Sequence, residues 1–151
     1  TLFLPACELP PSGLKELGNL ANLTTLSIDE TDLDDSQIEI LLGMPQLRYL
    51  DVSDTFLSNS AIAQLPQLTS LRDLLLQGMA VNSVAAELSA LPKLKLLDLS
   101  RTDLRDDGLA ALQKCPRIEI LVLIETEVSN AAIESFQKAV PHCEIVLENE
   151  Y

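Results

Sequence analysis

Apolar residues in this chain recur at spacings that fit neither a strand nor a helix alone. In LRYLDVSDTFL, residues 47–57, the positions Leu47, Leu50, Val52, Thr55 and Leu57 are separated by three, two, three and two residues. A strand alternates every two and a helix returns every three to four. The same stretch recurs as LTTLSIDETDL at 23–33, LRDLLLQGMAV at 71–81, LKLLDLSRTDL at 94–104 and IEILVLIETEV at 118–128. Its second apolar positions, Leu26, Leu50, Leu74, Leu97 and Leu121, step by 24, 24, 23 and 24 residues. Counting 24 back from Leu26 reaches Leu2 in TLFLPACEL, and counting 24 on from Leu121 reaches Ile145 in EIVLENEY. Seven phased turns, the first and last incomplete, account for nearly the whole chain.

Within each turn the three residues around the central LxL are expected to form a short strand, parallel to the next one at about 4.8 Å. The two apolar side chains point inward and the residue between them points out. A Thr five residues after the anchor then turns back inside, where its hydroxyl can satisfy backbone groups of the neighbouring turn. That position holds Cys7, Thr31, Thr55, Met79, Thr102 and Thr126. Met79 lacks a hydroxyl, so its turn, preceded by Gln77-Gly78, is expected to be irregular. The return path reads as helical in SQIEILLGM, GLAALQKC and AAIESFQKAV. Capping residues precede the return segments at Asp34-Asp35-Ser36, Ser58-Asn59-Ser60, Asn82-Ser83, Asp106-Asp107 and Ser129-Asn130. Proline follows at Pro45, Pro92, Pro116 and Pro141. Pro66 falls inside its helix, which predicts a short or 3₁₀ segment there. Leu9-Pro10-Pro11 starts a helix with little room for a long one.

The pattern LxxLxLxxTxL at a period near 24 resembles the leucine-rich repeat family. The family consensus places Asn or Cys where this chain carries Thr. Such Thr-bearing repeats are similar to those of bacterial multidomain proteins and of the ribonuclease-inhibitor-like branch. The resemblance implies an α/β leucine-rich repeat solenoid, curved, with parallel strands on the concave face and short helices or 3₁₀ segments on the convex face. It further implies a protein-binding module whose concave face recognises the partner.

Composition narrows the choice of partner. Hydrophobic residues make up 47% of the 151 positions and aromatics 3%, so the core is aliphatic. The net charge of -13 disfavours phosphate backbones and anionic lipids. No apolar run approaches the roughly 18 residues of a membrane span. Chemistry is sparse: a single histidine, His142, and no nucleophile motif, phosphate loop or zinc spacing. The reading is therefore non-enzymatic, with no cofactor and no metal implied. The acidic run DETDLDD at 29–35 lacks the spacing and glycine of a calcium loop, and Asp34 and Asp35 are accounted for as helix caps. Asp54, Asp103, Glu125 and Glu127 extend this acidic loop edge, a field able to steer a basic partner. Cys7, Cys115 and Cys143 are an odd count without CxxC spacing, which leans towards a reducing compartment such as the cytoplasm. A Cys115–Cys143 disulfide, with a periplasmic or surface location, stays open.

The outward strand positions are polar in the early turns and aliphatic in the late ones. Leu75, Leu96, Ile120, Val122, Ile124 and Val146 are expected to share one patch that approaches the size of a contact surface. Its candidate occupants are a protein partner, an adjoining domain of the same parent chain, or a second copy forming a homodimer. The second of these makes the chain a structural or regulatory domain rather than a free-standing binder. One repeat domain over 1–151 is expected. TLFL reads as a raw edge strand of a piece cut from something longer, and the charged ENEY as a stop.

Overall fold

The computed structural model describes residues 1–148, so Asn149, Glu150 and Tyr151 of the expected stop lie outside the described residues. Seven strands, β1 (Leu2–Phe3), β2 (Thr25–Ser27), β3 (Tyr49–Asp51), β4 (Asp73–Leu75), β5 (Leu96–Asp98), β6 (Ile120–Val122) and β7 (Glu144–Val146), form one parallel sheet in chain order. The register matches the repeat: Leu2, Leu26, Leu50, Leu74, Leu97, Leu121 and Ile145 are successive partners. From Leu26 to Leu121 these central leucines are fully buried, together with Ile28, Val52, Leu76 and Leu99 two residues on. The chain folds as an α/β leucine-rich repeat solenoid.

Helices return each turn on the other side of that core. They are α1 (Pro11–Gly18), α2 (Ile38–Leu42), α3 (Asn59–Ile62), α4 (Ala85–Leu88), α5 (Asp106–Leu112) and α6 (Asn130–Ala139). Short 3₁₀ segments at Asp35–Gln37 and Asn82–Val84 lead into α2 and α4. Pro66 sits in a 3₁₀ segment, Leu65–Gln67, after a helix of four residues, as its missing amide requires. The double proline instead opens a full eight-residue helix, longer than expected, because Pro11 takes the first helical position where its amide is not needed.

Two local expectations need correction. The threonine hydroxyls bond their own turn, not the neighbour: Thr31, Thr55, Thr102 and Thr126 donate to the carbonyls of Ile28, Val52, Leu99 and Leu123 at 2.7, 2.7, 2.6 and 3.0 Å. Each hydroxyl closes the bend three residues behind it. The Met79 turn is not irregular, because the backbone amide of Met79 takes the hydroxyl's place on the Leu76 carbonyl at 3.3 Å.

A second periodicity was hidden in the sequence. Ala6, Glu30, Asp54, Gly78, Arg101 and Glu125 all have left-handed backbone, with φ between 52° and 71°. The bend lets their amides continue the parallel ladder beyond the strand. Ala6, Glu30, Asp54, Gly78 and Arg101 donate to Asp29, Ser53, Gln77, Ser100 and Ile124 of the next turn at 2.8–3.0 Å.

The caps also differ in part. Asp34 caps its segment through Ser36 and a capping box with Gln37, and Ser129 caps α6 through Ala132. Ser58 gives no cap; its hydroxyl and amide both turn to Asp35 of the preceding turn, at 2.5 and 2.7 Å. Asp106 clasps Ser129 in the same way, at 2.8 Å to both amide and hydroxyl. Val81, not Asn82, precedes the fourth return segment, and Asp106 and Asp107 lie inside the first turn of α5 behind Arg105.

Candidate functional site

The outward face of the sheet is built from three rows, set by the register. Thr25, Tyr49, Asp73, Leu96, Ile120 and Glu144 are partners across β2–β7, as are Ser27, Asp51, Leu75, Asp98, Val122 and Val146. The third row follows the strands: Asp29, Ser53, Gln77, Ser100, Ile124 and Glu148. All six expected contact residues are half-buried. Leu96 and Ile120 are direct partners, and so are Val122 and Val146. Leu75 stands apart, with Asp51 and Asp98 as its partners on either side.

Val122, Ile124 and Val146 line a concavity of about 760 Å³ with Gln77, Asp98, Ser100, Arg101 and Leu147, and Glu125, Glu144 and Glu148 add carboxylates to its rim. Leu96, Ile120 and Leu75 do not line it. Its polar wall is a continuous network. Asp98, 8% exposed, accepts from the Ser100 amide and hydroxyl at 2.9 and 2.6 Å and from Gln77 Nε2 at 2.7 Å. Arg101 donates to the Gln77 side-chain oxygen at 3.4 Å and to Asp54 at 2.7 Å, spanning two turns. Sequence reasoning passed over Gln77, Asp98, Ser100 and Arg101. The signal was the D-x-S spelling at 51–53 and 98–100, whose carboxylates fold back on their own strand.

Early turns carry a different surface. Phe3, 56% exposed, packs edge-on against Tyr49 with ring centroids 6.4 Å apart. Asp29 and Asp51 lie in the neighbouring positions, Asp29 held by the Ser27 hydroxyl at 2.5 Å. Burial pushes the Asp51 carboxyl above its ordinary range against the lowering effect of the Ser53 bonds, and Asp29 and Asp98 add to the rise. Burial also raises Tyr49, helped by Asp51, Asp29, Asp73 and Asp98. Asp73 is raised by burial and partly compensated by Arg72 and Lys95.

Elsewhere the polar groups serve the scaffold. Of the 29–35 run, Asp32 accepts from the Leu9 amide, Asp34 from Ser36 and Asp35 from Ser58. His142 is exposed on the turn before β7. Cys115 and Cys143 are buried free thiols, so the structure shows no disulfide between them. Burial pushes Cys115 up to about 12 and Cys143 up to about 11, which keeps both protonated at neutral pH. Among the described residues no helix is long and apolar enough to cross a membrane, and no group of three or more His, Cys, Asp or Glu is placed to hold a metal ion.

No protein-family model and no curated protein matches the chain. Solved structures do. A leucine-rich repeat protein of Leptospira interrogans superposes with a TM-score of 0.65 at 25% identity, over 87% of this chain and 33% of that one. An internalin (InlF) of Listeria monocytogenes gives 0.63 at 16% identity, over 98% and 54%. Internalin C2 of the same species gives 0.60 at 19%, over 89% and 63%. The chain thus spans between a third and somewhat under two thirds of the length of these structures.

Proposed function

We propose, from the leucine-rich repeat solenoid that this chain forms, that it is a non-enzymatic protein-interaction module binding through the concave strand face. The observation that carries the reading is the pairing of Leu96 with Ile120 and of Val122 with Val146 on the outward side of a sheet whose early turns are polar there. Aliphatic side chains on a solvated strand face lose water-exposed area only when something covers them. The likeness to internalins and to the Leptospira repeat protein supports the same class of function. Asp29, Asp51 and Asp98 on this face are each held by a serine of their own turn, and the buried thiols stay protonated.

The test compares the wild-type chain with a Leu96→Asp, Val122→Asp double variant, matched for folding by circular dichroism. Both serve as bait for crosslinked capture from lysate, and sedimentation is measured alongside. The reading predicts a protein captured by wild type and lost by the variant. Equal capture by both removes the concave face as the site. Self-association abolished by the variant assigns the patch to a second copy instead.

A further inference from the structure

Building on that reading, we infer that the concave face takes a protein segment carrying a basic side chain, seated at Phe3, Tyr49, Asp29 and Asp51, and aliphatic side chains seated over Ile120, Val122 and Val146. The two halves of the face differ in kind. The early half offers exposed Phe3 against half-buried Tyr49, centroids 6.4 Å apart, next to two carboxylates on β3 and after β2. A Lys or Arg head over an aromatic ring beside carboxylates gains both a cation–π and an ionic contact. Of the other acids nearby, Asp54 has Arg101 at 2.7 Å, Asp73 lies beside Arg72 and Lys95, and Asp98 is tied up by Ser100 and Gln77. Asp51 instead lies among like charges, Asp29 and Asp98, which add to the rise that burial imposes on it and on Tyr49. A chain of net charge -13 adds the long-range field that draws in such a segment. The late half sets Ile120, Val122 and Val146 side by side and opens into the 760 Å³ concavity, where Glu125, Glu144 and Glu148 form an acidic rim around the aliphatic floor.

The strand order sets the spacing. Tyr49 is on β3 and Ile120 on β6, three strand steps apart. At about 4.8 Å per step this is about 14 Å, which is about four residues of extended chain or about ten of helix. The occupant crosses the strands and carries its basic and aliphatic residues at that separation.

The probe is a random twelve-residue peptide library displayed on phage and selected on the whole chain. The expected result is enrichment of peptides with Lys or Arg about four positions from an aliphatic cluster. Affinity of a synthetic consensus peptide falls about fivefold in Asp29→Asn, Asp51→Asn, as expected for two lost ion pairs, and weakens with salt. It is lost in Leu96→Asp, Val122→Asp. Asparagine keeps the oxygens that accept from Ser27 and Ser53, so the scaffold is retained. Peptides without basic excess, or affinity unchanged by the asparagine pair, overturn the proposal. If those peptides still fail on the Leu96→Asp, Val122→Asp variant, the concave-face reading stands without it. Binding that survives both variants overturns both. A library that yields no enriched peptide overturns the basic–aliphatic assignment.

Discussion

Replacing Thr102 by valine removes one hydroxyl from the core of the solenoid and almost nothing else. Val matches Thr in shape, so no cavity opens. What is lost is the 2.6 Å bond to the carbonyl of Leu99, with the longer 3.4 Å bond that the hydroxyl accepts from the Leu104 amide. Thr102 is 7% exposed and Leu99 is fully buried, so water does not replace the donor. Leaving a buried acceptor unmet costs about 1–3 kcal/mol. Thr31, 4% exposed, predicts the same loss. Thr55 and Thr126 make the same bond but are half-buried, and water reaching them holds the loss to about 0.5–1 kcal/mol. The assay is urea unfolding of the four Thr→Val variants by far-UV circular dichroism, with the slope checked for constancy because repeat arrays depart from two-state behaviour. The expected order is Thr31 and Thr102 well above Thr55 and Thr126. A Thr102→Val variant that unfolds at the wild-type midpoint refutes the view that the hydroxyl closes the turn. Four equal losses refute burial as the cause of the difference.

Asp51→Asn with Asp73→Asn should leave stability at pH 7 unchanged or raised. Their raised carboxyls favour the fold fully only below the unfolded carboxylate pKa of 3.8, and that contribution is lost as pH rises through the folded value. The gain should vanish in urea titrations at pH 3, and a clear loss at pH 7 would contradict it. Asp35 shifts the opposite way through its bonds to Ser58, so its stabilisation is present above pH 3.8 and fades as pH falls below it; protection of the Ser58 amide, measured against its intrinsic exchange rate, should fall there, and not in Asp35→Ala. Gly78→Ala should cost about 1–2 kcal/mol for the left-handed backbone, and its new Cβ meets Asp54 Oδ1, so thermal melting should show the loss and Arg101 should lose its partner. Iodoacetamide should label one thiol in the native chain, exposed Cys7, and three after unfolding; equal rates at Cys115 and Cys7 would mean the last turns open readily.

The inward half of each turn was legible because it repeats under one constraint. Leu26, Leu50, Leu74, Leu97 and Leu121 must all meet the same core, so a single phase explains them, and the register follows. The left-handed position was not legible, because its requirement falls on backbone rather than side chain. Ala6, the acids Glu30, Asp54 and Glu125, and Arg101 do not by themselves signal this conformation, and only Gly78 spells it out. The Met79 turn misled for the same reason: a backbone amide can do what the threonine hydroxyl does elsewhere. The six residues expected to make contact lie on the outward side of the sheet, since the register fixes that. Asp98 between Leu75 and Val122 is legible in the same phase; what needed the structure is the concavity, which takes in Val122, Ile124 and Val146 and leaves out Leu75, Leu96 and Ile120.

That division shows how such a fold separates scaffold from surface. The outward positions of β2–β7 carry no share of the core, so they are free to vary from turn to turn. Acids placed there would repel one another and lose hydration if left alone. In this chain Asp98 is tied to Ser100 and Gln77, Asp51 to Ser53 and Asp29 to Ser27, each within its own turn or the next. Local satisfaction of this kind makes the acid positions independent of the helices behind them. A substitution at Ile120 or Val122 therefore changes what the face presents without disturbing the ladder, whereas one at Leu121 between them removes a fully buried anchor and costs about 2–5 kcal/mol as Leu→Ala. The contrast between Leu121→Ala and Val122→Ala in urea unfolding is the sharpest single check of that separation, and comparable losses at the two adjacent positions would show that the outward row belongs to the scaffold after all.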